Sequence, residues 1–399
     1  MSTPFIIHDL QDSQMFALAQ AAGRAGIPVE GTLWPIEGWA RKSRYVQRAV
    51  ELQCLDEQLN GTYALGLKSS GLAGVWLPCV DDLAKFTATY QQLLQNIGMR
   101  FLTVDAETIE RALGTENLPE TDTLKIASME IVRVSDLYEN TESYVFPLMI
   151  KSERDRFQVF TDSSALQRFL ESQDVEKNAS QYHRIQKFVE GDVDRMASAL
   201  ILFDQDSRPV RGFTCRRQRV AKTKFGLFGE TTAAKAEWIP ELYEGARDLL
   251  LTLNWKGFAE VECKQDTDGK WYVMEVNPRL SGWSCLAEAD GAGMLSAYYQ
   301  ICAEGVRLEE ACLQRSKAEY VRMIATCYHE PDWVVKGQGN RIWITQLKKL
   351  FVTIRDYRKK RPNMILGAWD DLDISASLSL FYKTFQNVRK RKLMKKENV

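Results

Sequence analysis

Acidic side chains are predicted to face one another across a β-hairpin near residue 268. Two short runs of alternating apolar and polar residues flank Asp268-Gly269, a dipeptide typical of two-residue hairpin turns. This turn places Glu262 opposite Glu275 and Glu260 opposite Asn277, all on one face, because side chains alternate along a strand. Like charges at opposed positions destabilise a strand pair. We therefore expect a cation between them.

The same register pairs Lys264 with Val273, and the second strand runs on into Asn277-Pro278-Arg279. Carboxylate and amide oxygens are hard ligands of the kind that Mg²⁺ takes, usually with water and substrate phosphates. A guanidinium beside such a metal suits phosphoryl transfer, which depends mostly on positioning and charge neutralisation. An acidic face on an arbitrary hairpin is more often only solvated, but the arginine favours a site for ATP.

Composition bounds the class of protein. With 399 residues, 45% hydrophobic and 26% charged, the chain is long enough for two or three ordinary globular domains. A net charge of −1 argues against a protein built mainly to bind nucleic acid. We see no secretory signal and no apolar run of the roughly 18–20 residues that a membrane-spanning helix needs.

Cysteine and histidine usage narrows the chemistry. The eight cysteines contain no Cys-x-x-Cys pair, which is typical of reduced thiols in a cytoplasmic enzyme. The presence of only three histidines argues against a zinc site. We expect each cysteine to fill the core, and the catalytic work to fall on acids, bases and a metal.

The first part of the chain predicts alternating strands and helices. Strands are expected at 5–7, 27–34 and 74–78, and helices at 11–24 and 81–96. Such alternation is typical of an open parallel sheet, here extending to about residue 118. No Gly-x-Gly-x-x-Gly follows the first strand, so the dinucleotide fingerprint is absent.

From residue 118 the pattern becomes mixed α+β. A helix is predicted to start at 121–125, with Thr121 or Asp122 as its cap. An apolar strand then ends on Lys151, which is either a phosphate ligand or a lysine that extends from a strand edge into solvent. Further strands are expected at 182–191, 197–203 and 209–215, and a basic stretch at 215–224 is either a solvated loop or a clamp for an anion.

The C-terminal part contains two basic segments with interspersed apolar residues, 347–361 and 388–396. Segments of this kind can lie on an anionic membrane surface, or they can be charged solvated tails. We therefore expect a cytoplasmic protein and keep open a peripheral contact with the inner membrane surface through this tail.

The order of these elements resembles the ATP-grasp superfamily, and is most similar to the branch of the carbamoyl-phosphate synthetase large subunit. The resemblance rests on Lys151, on Gln186-Lys-Phe-Val-Glu-Gly191, on Glu260-Val-Glu262 and on Glu275-Val-Asn-Pro-Arg279. It implies an α/β and α+β chain, with an open parallel sheet followed by a two-lobed ATP-grasp domain that has antiparallel sheets.

The resemblance also implies domain bounds. Residues 1–118 would form a Rossmann-like domain that precedes the ATP-grasp module. Residues 119–305 would form the ATP-grasp domain, with lobes at about 119–185 and 186–305. Residues 306–399 would be a C-terminal extension with the basic tail.

The catalytic roles that the resemblance implies fall on the hairpin and one lysine. Glu262, Glu275 and Asn277 would hold one or two Mg²⁺ ions, with Mn²⁺ as an alternative. Arg279 would steady the transferred phosphoryl group, and Lys151 would reach the α and β phosphates of ATP.

The nucleotide roles that it implies lie around the hinge between the lobes. Gln186 and the Lys187 carbonyl would meet the adenine amino group, and the Val189 amide would meet a ring nitrogen. Asp194 would contact the ribose. Arg217 would be a further phosphate ligand, by similarity to a basic segment in uncharacterised relatives.

Two departures from the family pattern concern phosphate binding. Family members often follow the lysine strand with a glycine-rich flap, whereas Ser-Glu-Arg-Asp-Arg follows Lys151 here. Thr123 stands where another basic residue is usual, with Lys125 as an alternative cation nearby.

The resemblance implies an ADP-forming ligase in which ATP phosphorylates a carboxylate and an amine attacks the acyl phosphate. The partners would be a small-molecule carboxylate and amine, with no nucleic acid; neither substrate nor the oligomeric state follows from the sequence. The alternative is a non-catalytic nucleotide-binding sensor or scaffold that keeps the fold.

Overall fold

The computed structural model describes residues 2–10, 12–33, 38–52, 59–115, 118–127, 129–151, 157–172, 181–220, 231–322, 364–367 and 377. The charged residues 152–156 that follow Lys151, residues 221–224 of the basic stretch and both basic C-terminal segments lie outside these ranges.

The N-terminal part is an open sheet of five parallel strands. The strands are β1 (Phe5–Ile7), β2 (Val29–Leu33), β3 (Val46–Glu51), β4 (Gly74–Leu77) and β5 (Met99–Arg100), in the order β3-β2-β1-β4-β5. The helices are α1 (Ser13–Arg24), α2 (Gly61–Ser70), α3 (Asp81–Thr89), α4 (Gln91–Asn96) and α5 (Ala106–Gly114). Since the strand order reverses between β1 and β4, the crevice outside their carboxyl ends is where such sheets bind ligands.

A small antiparallel sheet follows, with two helices on one face. Its strands are β7 (Met129–Arg133), β8 (Leu148–Lys151), β9 (Phe157–Phe160) and β10 (Tyr182–Lys187), in the order β7-β10-β8-β9. The helices are α6 (Val134–Glu139) and α7 (Ser163–Ser172). Leu148, Ile150 and Ile185 pack with Leu166 and Leu170 in the core of this unit.

A large sheet of eight strands forms the rest. Its strands are β6 (Leu124–Ile126), β11 (Met196–Phe203), β12 (Pro209–Val220), β13 (Thr231–Ala236), β14 (Gly257–Gln265), β15 (Trp271–Asn277), β16 (Glu319–Arg322) and β17 (Met364–Gly367). The order is β17-β16-β13-β12-β11-β14-β15-β6, antiparallel except for the parallel end pairs β15/β6 and β16/β17. The helices are α8 (Pro240–Thr252), α9 (Cys285–Ala289) and α10 (Met294–Glu304), with short 3₁₀ turns at Gly38–Lys42, Thr141–Ser143 and Val193–Arg195.

Both faces of the large sheet are covered. Helices α5 and α8 pack on the face that carries Ala199 and Val261. Helices α1 and α10 pack on the opposite face, where Leu200 and Phe213 join one core with the parallel sheet. Since Leu200 pairs with Glu260, the acidic residues of β14 lie on the face toward the N-terminal part.

Two predictions about local structure are wrong. Residues 121–125 do not start a helix; Leu124–Ile126 pair instead with β15 as an edge strand, so tertiary pairing overrides the capping pattern. The helix predicted at 81–96 is two helices that meet at Tyr90.

In the described part of the chain, no helix combines the length and the apolar character needed to cross a membrane.

Candidate active site

The hairpin of β14 and β15 has the predicted acidic pairs at the end away from its turn. Glu262 lies opposite Glu275, and Glu260 lies opposite Asn277. The two pairs therefore bring three carboxylates and one amide onto adjoining strands, as the alternation of side chains predicted.

The turn of this hairpin differs from the prediction. Asp266 N–H donates to Lys270 O at 2.9 Å and Gly269 N–H to Asp266 O at 3.2 Å, so three residues form the loop. Gly269 closes it at a φ of 84°, which glycine adopts without strain. Lys264 consequently lies opposite Tyr272, and the predicted pairing with Val273 is wrong.

A bulge restores the predicted register beyond this point. The pairing shifts by one between Glu262 and Cys263, and Met274 is the extra residue on β15. The longer turn and the bulge offset each other, so Glu262 meets Glu275 although the turn length differs from the prediction.

Glu260 is a buried carboxylate, 1% exposed. It accepts hydrogen bonds from Trp283 Nε1 at 2.9 Å, from Asn277 Nδ2 at 3.2 Å and from the Ser281 hydroxyl. Burial, and then the neighbouring Glu262, raise the pKa of Glu260 above its usual range. Ser281 and Trp283, which the sequence analysis did not single out, thus fix the position of the Glu260 carboxylate.

Within the described part of the chain, Glu262 contacts Asn277 and Arg217. Its Oε1 accepts from Asn277 Nδ2 at 3.2 Å, and its Oε2 forms an ion pair with Arg217 Nη2. Arg217 is only 6% exposed. Burial lowers the pKa of Arg217, but the charges of Glu262 and Glu260 outweigh it, so the net pKa is raised.

Arg279 joins the hairpin to the N-terminal part. Its Nε donates to Asp81 Oδ1 at 2.8 Å and its Nη2 to Asp81 Oδ2 at 3.4 Å and to Asn277 Oδ1 at 3.0 Å. Its Nη1 lies 3.9 Å from Glu260 Oε2. Burial opposes the charge of Arg279, but Asp81 and Glu260 raise its pKa overall.

Asp81 begins α3, just beyond the carboxyl end of β4. The end of the hairpin that leads into Arg279 therefore lies beside the carboxyl end of β4. The strand order reverses between β1 and β4, and open sheets of this kind bind ligands at such a point. Nothing in the local sequence marked Asp81, because its partner is 198 residues away.

Arginines therefore supply part of the positive charge that the sequence analysis assigned to a metal. Arg217 contacts Glu262, and Arg279 lies near Glu260. When all of these groups are ionised, three carboxylates on the hairpin face two guanidiniums, and Asp81 adds a fourth carboxylate. Counted over these residues of the described part alone, negative charge exceeds positive charge, which suits a bound cation.

The donor set fits a hard divalent cation. Glu262 and the exposed Glu275 are opposed across the strands, and carboxylates of this kind suit Mg²⁺ or Mn²⁺. The Asn277 amide turns its nitrogen to Glu260 and Glu262 and its oxygen to Arg279, so it would have to rotate to offer its oxygen to a metal. Within the described ranges, no three His, Cys, Asp or Glu residues cluster as a metal site. The metal residues Glu262, Glu275 and Asn277 stay a prediction.

The predicted adenine hinge lies at the end of β10. Gln186 is fully buried, and its amide nitrogen and oxygen have no hydrogen-bond partner among the described residues. Such a buried amide is costly unless a ligand satisfies it. Val189 is also buried. Lys187 Nζ lies 3.5 Å from Tyr272 Oη and 4.9 Å from the centre of that ring, which ties the hinge to the hairpin.

The other residues predicted to bind nucleotide have contacts away from the acidic hairpin pairs. Lys151 ends β8, where its backbone pairs with Arg184. Asp194 is exposed in a 3₁₀ turn, and its carbonyl accepts from Arg216 Nη1 at 3.0 Å. Lys125, the alternative cation, forms an exposed 2.9 Å ion pair with Glu120.

Lys264 adds a buried amine beside the hinge. Its Nζ lies 5.0 Å from the centre of the Phe188 ring, and burial lowers its pKa to about 8 even though Asp192 and Glu190 oppose the shift. The residue is only 2% exposed.

Replacing Lys264 by Met is expected to stabilise the nucleotide-free protein at pH 7. Below about pH 8 the folded protein holds a charged amine at a cost, whereas the unfolded chain keeps its proton up to about 10.5. The stability of the wild type should therefore rise, relative to Lys264→Met, as the pH increases from 8 to 10. Urea unfolding at pH 7 and pH 9.5 measures this difference, and a difference that stays constant with pH would contradict it.

Comparison with known proteins agrees with this architecture. Residues 160–283 match the family model described as the ATP-grasp domain. N5-carboxyaminoimidazole ribonucleotide synthetase PurK, solved as an ADP complex, is 12% identical with a TM-score of 0.58, over 89% of this chain and 97% of that one.

Two further solved structures are similar. L-amino acid ligase from Bacillus licheniformis is 17% identical with a TM-score of 0.56, over 76% of this chain and 75% of that one. Biotin carboxylase from Campylobacter jejuni is 12% identical with a TM-score of 0.55, over 80% of this chain and 74% of that one. No curated protein sequence matches the chain.

At these identities the likeness concerns the fold. The predicted fold class is confirmed: the chain is a mixed α/β structure in which a parallel sheet precedes antiparallel sheets, as in these solved neighbours. Residues 160–283 are thus similar to the ATP-grasp domain, and the fold is similar to those of biotin carboxylase and PurK.

Proposed function

We propose that the protein is an ATP- and Mg²⁺-dependent ligase that joins a carboxylate to an amine through an acyl phosphate and forms ADP. The observation that carries the proposal is the assembly of Glu262, Glu275, Asn277 and Arg279 at one end of a single hairpin. Solved neighbours described as an ADP complex and as an L-amino acid ligase support it.

The chain's own residues would divide the work as follows. Glu262 and Glu275, with Asn277 after rotation of its amide, would hold the metal, which when bound neutralises phosphate charge. Arg279 would stabilise the charge that develops on the transferred phosphoryl group, since Asp81 and Asn277 fix its orientation.

Nucleotide binding would fall on the hinge and on β8. Gln186, Lys187 and Val189 would meet the adenine, Asp194 the ribose and Lys151 the phosphates. The buried, unsatisfied amide of Gln186 supports an adenine site at the hinge. A closer kinship with the carbamoyl-phosphate synthetase branch stays a prediction.

The acceptor substrates would bind between the N-terminal part and the hairpin. Arg279 and Asp81 meet there, beside the carboxyl end of β4. A carboxylate held at this point would be close to the phosphoryl group that the metal and Arg279 steady. Its oxygen would attack the γ phosphorus, ADP would leave, and an amine would then displace phosphate from the acyl phosphate.

The test is the nucleotide product. Purified protein with Mg²⁺, ATP and a panel of carboxylates and amines should release ADP and phosphate when the correct pair is present. Release of AMP and pyrophosphate would contradict the proposal.

A non-catalytic nucleotide-binding sensor or scaffold is the second candidate. It is favoured by the pairing of Glu262 with Arg217, because protein cations already satisfy part of the acidic face. Tight MgATP binding by calorimetry, together with no turnover on a broad panel of acids and amines, would support this candidate over the ligase.

A further inference from the structure

Arg217 is placed as a counter-ion of the hairpin. It projects from β12, and its guanidinium forms an ion pair with Glu262 on β14. Strand β11 lies between these two strands, so the side chain crosses over β11 to reach the carboxylate. The residue of β11 that pairs with Glu262 is Ser198, whose small side chain leaves room for this crossing.

The burial of Arg217 is stabilised by carboxylates. Only 6% of the residue is exposed, and its Nε has no hydrogen-bond acceptor among the described residues. A buried guanidinium is tolerated when it is paired, and removal of one partner of such a pair leaves an uncompensated charge. Arg217 and Glu262 therefore hold each other in place.

The pairing also affects any cation that approaches Glu262. A divalent ion there would share the carboxylate with a guanidinium already in contact with it, and like charges repel strongly at such distances in a partly buried site. A nucleotide changes the balance, because its phosphates add negative charge and further oxygen ligands.

We propose that Arg217 is a positioning residue that acts as an internal counter-ion of Glu262, so that free divalent cations bind weakly and the metal enters together with the nucleotide. This inference rests on the proposed function for its metal site. It gives Arg217 a role through Glu262, where the sequence analysis predicted a direct contact with phosphate.

The probe is Mn²⁺ alone, followed by electron paramagnetic resonance on the full chain without nucleotide. We expect weak binding by the wild type and at least tenfold tighter binding by Arg217→Met. The matched control is Arg216→Met, because Arg216 is the adjacent residue and pairs with Glu237. It should bind Mn²⁺ as the wild type does.

The gain should depend on Glu262. The double variant Arg217→Met/Glu262→Gln should return to the weak binding of the wild type. Arg217→Gln, neutral but still able to donate to Glu262, is a second neutral variant if Arg217→Met does not fold. Unchanged Mn²⁺ binding in the folded neutral variant, or a gain that survives in the double variant, would overturn the proposal.

Addition of ADP separates this inference from the proposed function. If Mn²⁺ binds the wild type tightly only when ADP is present, the result supports both the role of Arg217 and the proposed function. Tight Mn²⁺ binding with ADP, but no effect of Arg217→Met on Mn²⁺ alone, overturns only the role of Arg217. No Mn²⁺ binding with ADP in any variant removes the metal site itself.

Discussion

Glutamine in place of Glu275 is expected to lower ADP-forming turnover by roughly 10²–10³-fold while the fold survives. The substitution keeps the shape of the side chain but removes the charge that stands opposite Glu262. Loss of one preorganised electrostatic group in such a site costs roughly 10²–10³ in rate. Glu275 is exposed, so the free energy of unfolding should change by no more than about 0.5 kcal/mol.

The measurement is the mass of product formed from a metabolite extract with ATP, compared between the wild type and Glu275→Gln. The initial rate of product formation should fall by roughly 10²–10³-fold in the variant. Glu244→Gln is the matched control, since Glu244 is an exposed glutamate on α8 and should behave as the wild type. Undiminished product from Glu275→Gln would show that this carboxylate takes no part in the reaction.

Methionine in place of Arg279 is expected to lower both activity and stability. Turnover should fall by about 10³-fold or more, because the cation near the transferred phosphoryl group is lost. The free energy of unfolding should fall by about 1–3 kcal/mol, because Asp81, Asn277 and Glu260 lose a charged partner. Single-turnover kinetics and urea unfolding measure the two effects.

The partner variant Asp81→Asn separates the two roles of Arg279. It keeps the guanidinium but removes its ion pair, so stability should fall while turnover falls by only about tenfold. If Asp81→Asn and Arg279→Met lost turnover equally, the effect of Arg279 would be structural. If Arg279→Met kept full turnover, the role assigned to this arginine would be wrong.

The acidic pairs could be predicted because side chains alternate along the part of each strand that lies beyond the bulge. Glu262 pairs with Glu275 either in a hairpin with a two-residue turn or in one with a three-residue turn and a bulge at Met274. Both arrangements give the same pairing at the site. The predicted partner of Lys264 is wrong because this residue lies between the turn and the bulge, where the register differs by one. Local residue types do not distinguish these two arrangements.

The rest of the site depends on contacts between distant parts of the chain. Asp81 reaches Arg279 only after the N-terminal part packs on the large sheet, and Arg217 reaches Glu262 across an intervening strand. The strand at Leu124–Ile126 likewise exists because β15 offers an edge for pairing. Propensity and motif spacing carry no information about such pairings.

The most direct test of the metal and nucleotide site is calorimetry of ADP binding with and without Mg²⁺. The wild type should bind ADP at least tenfold more tightly with Mg²⁺, and this difference should disappear in the double variant Glu262→Gln/Glu275→Gln. Equal affinity with and without Mg²⁺ in the wild type, or a Mg²⁺ dependence that persists in the double variant, would contradict the account.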